Sequence, residues 1–225
     1  MLVGDLRGVF GDRLRSVVAY GAAVDGASDT PLTCLALVAS LGVSDLEACA
    51  RNAPHWRRER VATPLILPEE EFRRSLDAFP LEYGEILRAH EQVFGADPFD
   101  GVTIAHEDLR RACETQVKSH LLHLREEYID SGGRPHAVAE LVSASAPAFA
   151  ALLRNVGRLT GVSSRDRLEA TREGARAAAL PDGIVADILA LERPSGMPSA
   201  DPARLFPEYL AAVEQLARMV DTWRA

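Results

Sequence analysis

Lysine is almost missing from this chain of 225 residues: Lys118 is the single one, and the other 24 of its 25 basic residues are arginine. We read that as genome composition rather than as a functional signature. Cysteine is scarce too. Cys34, Cys49 and Cys113 are odd in number and form no CxxC pair, which argues against a disulfide framework or a thiol-based zinc site. Each lies in an apolar context, where a free thiol behaves as a small buried hydrophobe. Net positive charge is lacking as well, and a formal charge of −8 excludes broad affinity for nucleic acid or anionic membrane. The best local exception, His55-Trp56-Arg57-Arg58-Glu59-Arg60, reads as a solvated helix end. A basic segment followed by an apolar core is absent from the N-terminus, and no uninterrupted apolar run reaches the roughly 20 residues of a bilayer span. The expectation is a cytoplasmic protein.

What is present is an ordinary globular composition, 47% hydrophobic and 26% charged. Two regimes follow one another. Up to residue 104, compact aliphatic runs at Val17–Tyr20, Leu35–Leu41 and Thr63–Leu67 are flanked by Gly, Pro or Ser and read as strands. Between them Ser44 and Glu47 suggest a capping box, and Pro68 with Glu69, Glu70 and Glu71 opens another helix. Beyond the turn-rich Gly95–Gly101 the character changes. Residues 106–130 predict a long helix, with Leu109, Cys113, Val117, Leu121, Leu124 and Tyr128 as its apolar stripe. Ser131-Gly132-Gly133-Arg134-Pro135 stops it. Helices are expected at about 136–159, 165–179, 182–193 and 204–223. The fold class is therefore α+β of the α/β type: a small mixed sheet with flanking helices over 1–104, then an antiparallel helical bundle over 105–225. No internal repeat or low-complexity tract is evident.

Residues 17–40, VVAYGAAVDGASDTPLTCLALVAS, have the outline of a nucleotide-handling strand–turn–strand unit. Two-metal nucleotidyl transfer needs a Gly that lets the backbone approach a triphosphate, and a hydroxyl with N–H groups beside it. It also needs two carboxylates at i and i+2 on the next strand, which project to one side and grip the metals. Tyr20-Gly21-Ala22-Ala23 and the strand after it resemble the Gly-Ser turn and second strand of the DNA polymerase β-like nucleotidyltransferase superfamily. Phe79–Tyr83, His90–Pro98, Leu109–Glu114 and Leu121–Tyr128 are similar to segments of a bacterial group within it. That group joins a minimal transferase domain to a helical C-terminal domain, the kanamycin nucleotidyltransferase-like architecture.

The resemblance implies a fold, and the catalytic positions depart from it. Ala22 stands where the turn's Ser belongs. The paired carboxylates align with Leu32 and Cys34, neither an oxygen ligand for magnesium. The third carboxylate is expected near Thr63–Leu67, where no acid occurs. Asp25 and Asp29 lie in the intervening loop, where Asp25-Gly26 reads as a turn and Asp29-Thr30-Pro31 as entry to the strand.

Elsewhere, His120 and His123 with Glu127 could share a side of the long helix, without the HExxH spacing. His90, near Asp97, reads as a packing and hydrogen-bonding residue, and His106 as part of a first helical turn. Trp56 and Trp223 sit beside arginines, where cation–π packing is common. GxSxG, Walker A and GxGxxG motifs are absent, as is an Arg-(x4–6)-His toxin motif on the long helix.

The expectation is a catalytically degenerate nucleotidyltransferase-fold protein, a binding or regulatory scaffold rather than an enzyme. It would take a nucleotide or small molecule without metal, lined by Gly21 and Ala22 with Asp25 and Asp29 on the rim. A protein partner and a homodimer through the Ala- and Leu-rich helices are further expectations. Two alternatives stay open. One is an active transferase of a small molecule, using magnesium, a nucleoside triphosphate and displaced carboxylates such as Asp25, Asp29 or Glu82. The other is a structural interaction module.

Overall fold

The computed structural model describes residues 1–21, 23–24, 30–161, 164–192 and 201–223. The chain divides into two compact units, Met1–Ala105 and His106–Ala225.

The first unit is built on a four-stranded mixed sheet in the order β3-β2-β1-β4, with β1 Leu14–Tyr20, β2 Thr33–Val38, β3 Leu65–Pro68 and β4 His90–Gly95. Strand β1 pairs antiparallel with both β2 and β4, and β2 runs parallel to β3. The sheet is apolar on both faces because helices cover both. On one face Val17, Ala19, Cys34, Ala36 and Val38 meet Leu2, Leu6 and Phe10 of α1 (Leu2–Phe10) and Cys49 and Trp56 of α2 (Val43–Arg58). The spacing of four in Leu2, Leu6 and Phe10 is what puts them on one stripe. On the other face Val18, Leu35 and Leu37 meet Phe72 of α3 (Glu69–Arg74), Tyr83 and Ile86 of α4 (Pro80–Arg88), and Phe99. Phe72 is the hub there, edge-on to Tyr83 at 5.1 Å and to Phe99 at 5.3 Å, the geometry that ring quadrupoles favour.

Helix α2 starts earlier than its Ser44/Glu47 pattern suggests. Gly42 is its N-cap, and the Gly42 N–H donates to Asp45 Oδ2 at 3.0 Å. The Asp45 carboxylate also accepts from both Arg13 guanidinium nitrogens, at 2.7 and 2.8 Å. That bidentate bond ties the start of β1 to the first turn of α2.

The second unit is a helical bundle of α5 (His106–Asp130), α6 (Pro135–Leu159), α7 (Arg167–Ala177), α8 (Asp182–Leu191) and α9 (Pro202–Thr222). Helix α6 is the central one, packed against α5, α7, α8 and α9. It is 25 residues long with a mean hydropathy of 1.4 in its most apolar window, long and apolar enough by composition to cross a membrane. This corrects the sequence reading, which looked for uninterrupted apolar runs. Here Val142, Ala146, Phe149, Ala150, Leu153 and Val156 are its buried stripe in the bundle. Arg154, also buried, donates from Nη1 to Thr171 Oγ1 and Glu192 Oε1, both at 3.1 Å, and Glu192 accepts from Arg167 at 2.6 Å. A buried guanidinium is tolerated only with such pairing.

On α5, Leu109, Cys113, Val117 and Leu124 are buried as the stripe predicts. Tyr128 is instead exposed at the end of it, stacked on Phe206 with ring centroids 4.1 Å apart.

Candidate functional site

Gly21 follows β1 with φ +84°, and its carbonyl accepts from the Val24 N–H at 3.0 Å. A Cβ at this position would only touch Thr33 Oγ1 at 3.7 Å. Glycine is therefore required by the left-handed backbone and not by crowding. Tyr20, just before it, pairs across the sheet with Thr33 on one side and His90 on the other. Of the residues expected to line a ligand, Gly21 is described; Ala22, Asp25 and Asp29 lie outside the described residues.

Leu32 and Cys34, where the sequence resemblance expects the paired carboxylates, are both described. Leu32 bridges in parallel to Val61 just before β2, and its N–H donates to the Arg60 carbonyl at 2.9 Å. Cys34 pairs with Ala19. Two residues apart, they share the face that α1 and α2 cover. Cys34 is 1% exposed, and Leu32 packs partly buried against the same apolar cluster. Burial pushes the Cys34 thiol up to about 11, and burial likewise raises Tyr20, with smaller contributions from Cys34 and Tyr83. Strand β3 holds no acid at Leu65–Pro68. Glu82 is exposed on α4.

His90 is a hydrogen-bonding residue. Its Nδ1 lies 2.8 Å from the Ile86 carbonyl, its Nε2 lies 3.1 Å from both Asp97 oxygens, and its ring rests on Phe99 at 5.0 Å. Burial opposes ionisation of Asp97. The Phe99 N–H and His90 outweigh it, and the carboxyl sits below its usual range.

The histidines of α5 are not brought together. His120 lies 3.1 Å from the Tyr209 hydroxyl and stacks on Phe149 at 5.8 Å, and burial lowers it to about 4. His123 is exposed, 3.4 Å from Glu126. His106 sits in the first turn of α5, 3.2 Å from the Leu159 carbonyl. Among the described residues no group of three or more His, Cys, Asp or Glu is placed to hold a metal ion.

Trp56 corrects the reading of its neighbourhood. It is fully buried, and its Nε1 donates to Asp5 Oδ2 at 2.9 Å. Arg57, Arg58 and Arg60 are exposed at the end of α2. No spacing pattern joins Asp5 to Trp56 or Arg13 to Asp45, so sequence reasoning passed over both links.

This sheet, with its Gly turn after β1 and a helical bundle following in the chain, is a nucleotidyltransferase fold. Among solved structures the chain is similar to the crystal structure of spectinomycin adenyltransferase AAD(9) from Enterococcus faecialis with ATP and spectinomycin. The TM-score is 0.59 at 14% identity, over 98% of this chain and 97% of that one. No family model matches the chain, and no curated protein matches its sequence.

Proposed function

We propose that this protein is a nucleotidyltransferase-fold binding protein that takes a nucleotide or small molecule at the Gly21 turn without metal and without transferring a nucleotidyl group. The observation that carries the reading is the pair Leu32 and Cys34. They are the residues at which the sequence resemblance expects the paired carboxylates, and they lie on a face packed against α1 and α2, with Cys34 in an apolar cluster. A magnesium site needs hard oxygen ligands reachable from solvent, and an apolar side chain with a desolvated thiol supplies none. Support for a retained ligand comes from the turn itself. A left-handed Gly21 after β1 keeps the close backbone approach on which triphosphate binding in this fold relies. The fold is shared with an adenyltransferase whose structure holds ATP and spectinomycin.

Isothermal titration with ATP, GTP, CTP and UTP, each with magnesium and with a chelator, tests the proposal. The expected result is binding of at least one nucleotide with the same affinity in both conditions, and no pyrophosphate release over hours. Binding that requires magnesium would overturn it and move attention to Asp25, Asp29 and Glu82 as displaced ligands.

A further inference from the structure

Arg15 and Ser16 lie near the start of β1, at the opposite end of that strand from the Gly21 turn, with Ser16 paired to Gly95 while Tyr20 is paired to His90. They open onto a hollow of about 260 Å³, contained within the first unit, to which Asp97, Asp100, Phe72 and Leu37 also contribute. That volume is many times the roughly 10–15 Å³ that a single water needs.

The groups around this hollow differ in how fully they are committed. Arg73 and Glu69, which also reach it, neutralise each other at 2.9 Å. Asp97 is spent in part on His90 and on the Phe99 N–H. Three groups are uncommitted. Arg15 and Asp100 form no ion pair, with each other or with any other described residue, and the Ser16 hydroxyl has no hydrogen-bond partner among the described residues. Ser16 is 4% exposed, and its hydroxyl is not among the buried polar atoms that lack a partner, so what exposure it keeps opens onto the hollow. A hydroxyl so placed is free to bond whatever occupies the hollow. The floor beneath is apolar, with Phe72 and Leu37 each 1% exposed.

The rim is held in place before any ligand arrives. Gly95, with φ +74°, turns the chain out of β4 so close to β1 that a Cβ there would fall 1.9 Å from the Arg15 carbonyl oxygen. Asp97 is then anchored to His90, and Phe99 is buried against Phe72. A fixed rim lowers the ordering cost of binding.

We infer that this hollow is a second ligand site, distinct from the Gly21 turn, for a small zwitterion of the size of a free α-amino acid. An ammonium group would meet the acidic side at Asp100 and Asp97, a carboxylate would meet Arg15, and the Ser16 hydroxyl would bond either group from the wall. A ligand of one sign would engage only one of Arg15 and Asp100. A ligand of both signs bridges two charges that do not bridge each other.

Ligand-observed NMR or calorimetry with each of the proteinogenic L-amino acids, on the full chain, tests this. For any that bind, the methyl ester and the N-acetyl derivative serve as single-charge controls. At least one amino acid is expected to bind at or below about 10 mM, with each derivative weaker by about tenfold, the loss of one charge-assisted hydrogen bond. Arg15→Gln should weaken the amino acid by about the same factor and leave the ester unchanged, and Asp100→Asn should do so for the N-acetyl form. Both positions are exposed, so circular dichroism of the variants should match the parent. No binding up to about 10 mM, derivatives that bind as well as the parent amino acid, or variants with unchanged affinity would each overturn the inference.

Discussion

Cys34 is the residue on which the proposed absence of a metal site turns. It is 1% exposed on a face lined by Val17, Ala19 and Ala36, where a charge has neither water nor partner. Introducing a carboxylate there by Cys34→Asp should therefore not create a metal site. It should destabilise the first unit by about 3–5 kcal/mol, the cost of an uncompensated buried charge. Urea unfolding with and without magnesium measures it, and a metal-dependent recovery of stability would contradict this account. The thiols make a companion case. Burial raises Cys34 to about 11 and Cys113 to about 12, and only thiolates alkylate. Iodoacetamide at pH 8 should leave both unmodified in the native protein and label them once denaturant is added, as mass spectrometry would read. Labelling of either in the native protein would mean that its cluster opens.

Backbone proximity governs at the scale of elements. Helices α6 and α7 approach so closely that a Cβ on Gly174 would lie 1.9 Å from the Leu153 carbonyl oxygen. Gly174→Ala, favourable by helix propensity alone, should instead destabilise the bundle by about 3 kcal/mol through forced separation of the helices. Gly183 has nothing within 4 Å of a Cβ, so Gly183→Ala should be neutral or stabilising. A gain in melting temperature for both variants would show that the helices separate at little cost. The same contrast explains what could be read from the chain beforehand. Strands β1, β2 and β3 were legible as aliphatic runs and α5 as a periodic stripe, because local pattern decides them, whereas β4, His90–Gly95, is no aliphatic run. Helix α1 escaped notice although Leu2, Leu6 and Phe10 are spaced by four, since Gly4 and Gly8 dilute the pattern. The cap of α2 was misplaced because Asp45 is recruited by Arg13, 32 residues away. At the candidate site the Gly21 turn was legible from its residue types. What surrounds Leu32 and Cys34 was not, because it depends on which helices cover that face. The hollow beside Ser16 draws on β1, α3 and the segment after β4, and no sequence spacing connects them.

For the whole molecule, the two units carry acid-sensitive groups that respond in different pH ranges. In the bundle, burial lowers His120 from 6.5 to about 4. The unfolded chain therefore binds a proton that the native bundle refuses between those values, and stability falls as pH drops through that window, by up to about 3 kcal/mol. In the first unit, the Arg13 and Gly42 hydrogen bonds hold Asp45 down at about 2 against 3.8. That link contributes fully above pH 3.8 and is lost only as pH falls from there toward 2. Acidification from pH 7 should accordingly loosen the helical unit first, with the sheet unit following below pH 4. Hydrogen exchange read by mass spectrometry at pH 7, 5 and 3 would resolve the order, comparing peptides from α5 and α9 with peptides from β1 and α2. His120→Gln should flatten the response of the bundle between pH 6.5 and 4 and leave the sheet unit unaffected, because the replacement keeps a hydrogen-bonding group for Tyr209 and cannot be protonated. If the bundle of that variant still lost stability over the same window, the acid sensitivity would belong to some other group, and the buried imidazole would be a packing element without a titrating role.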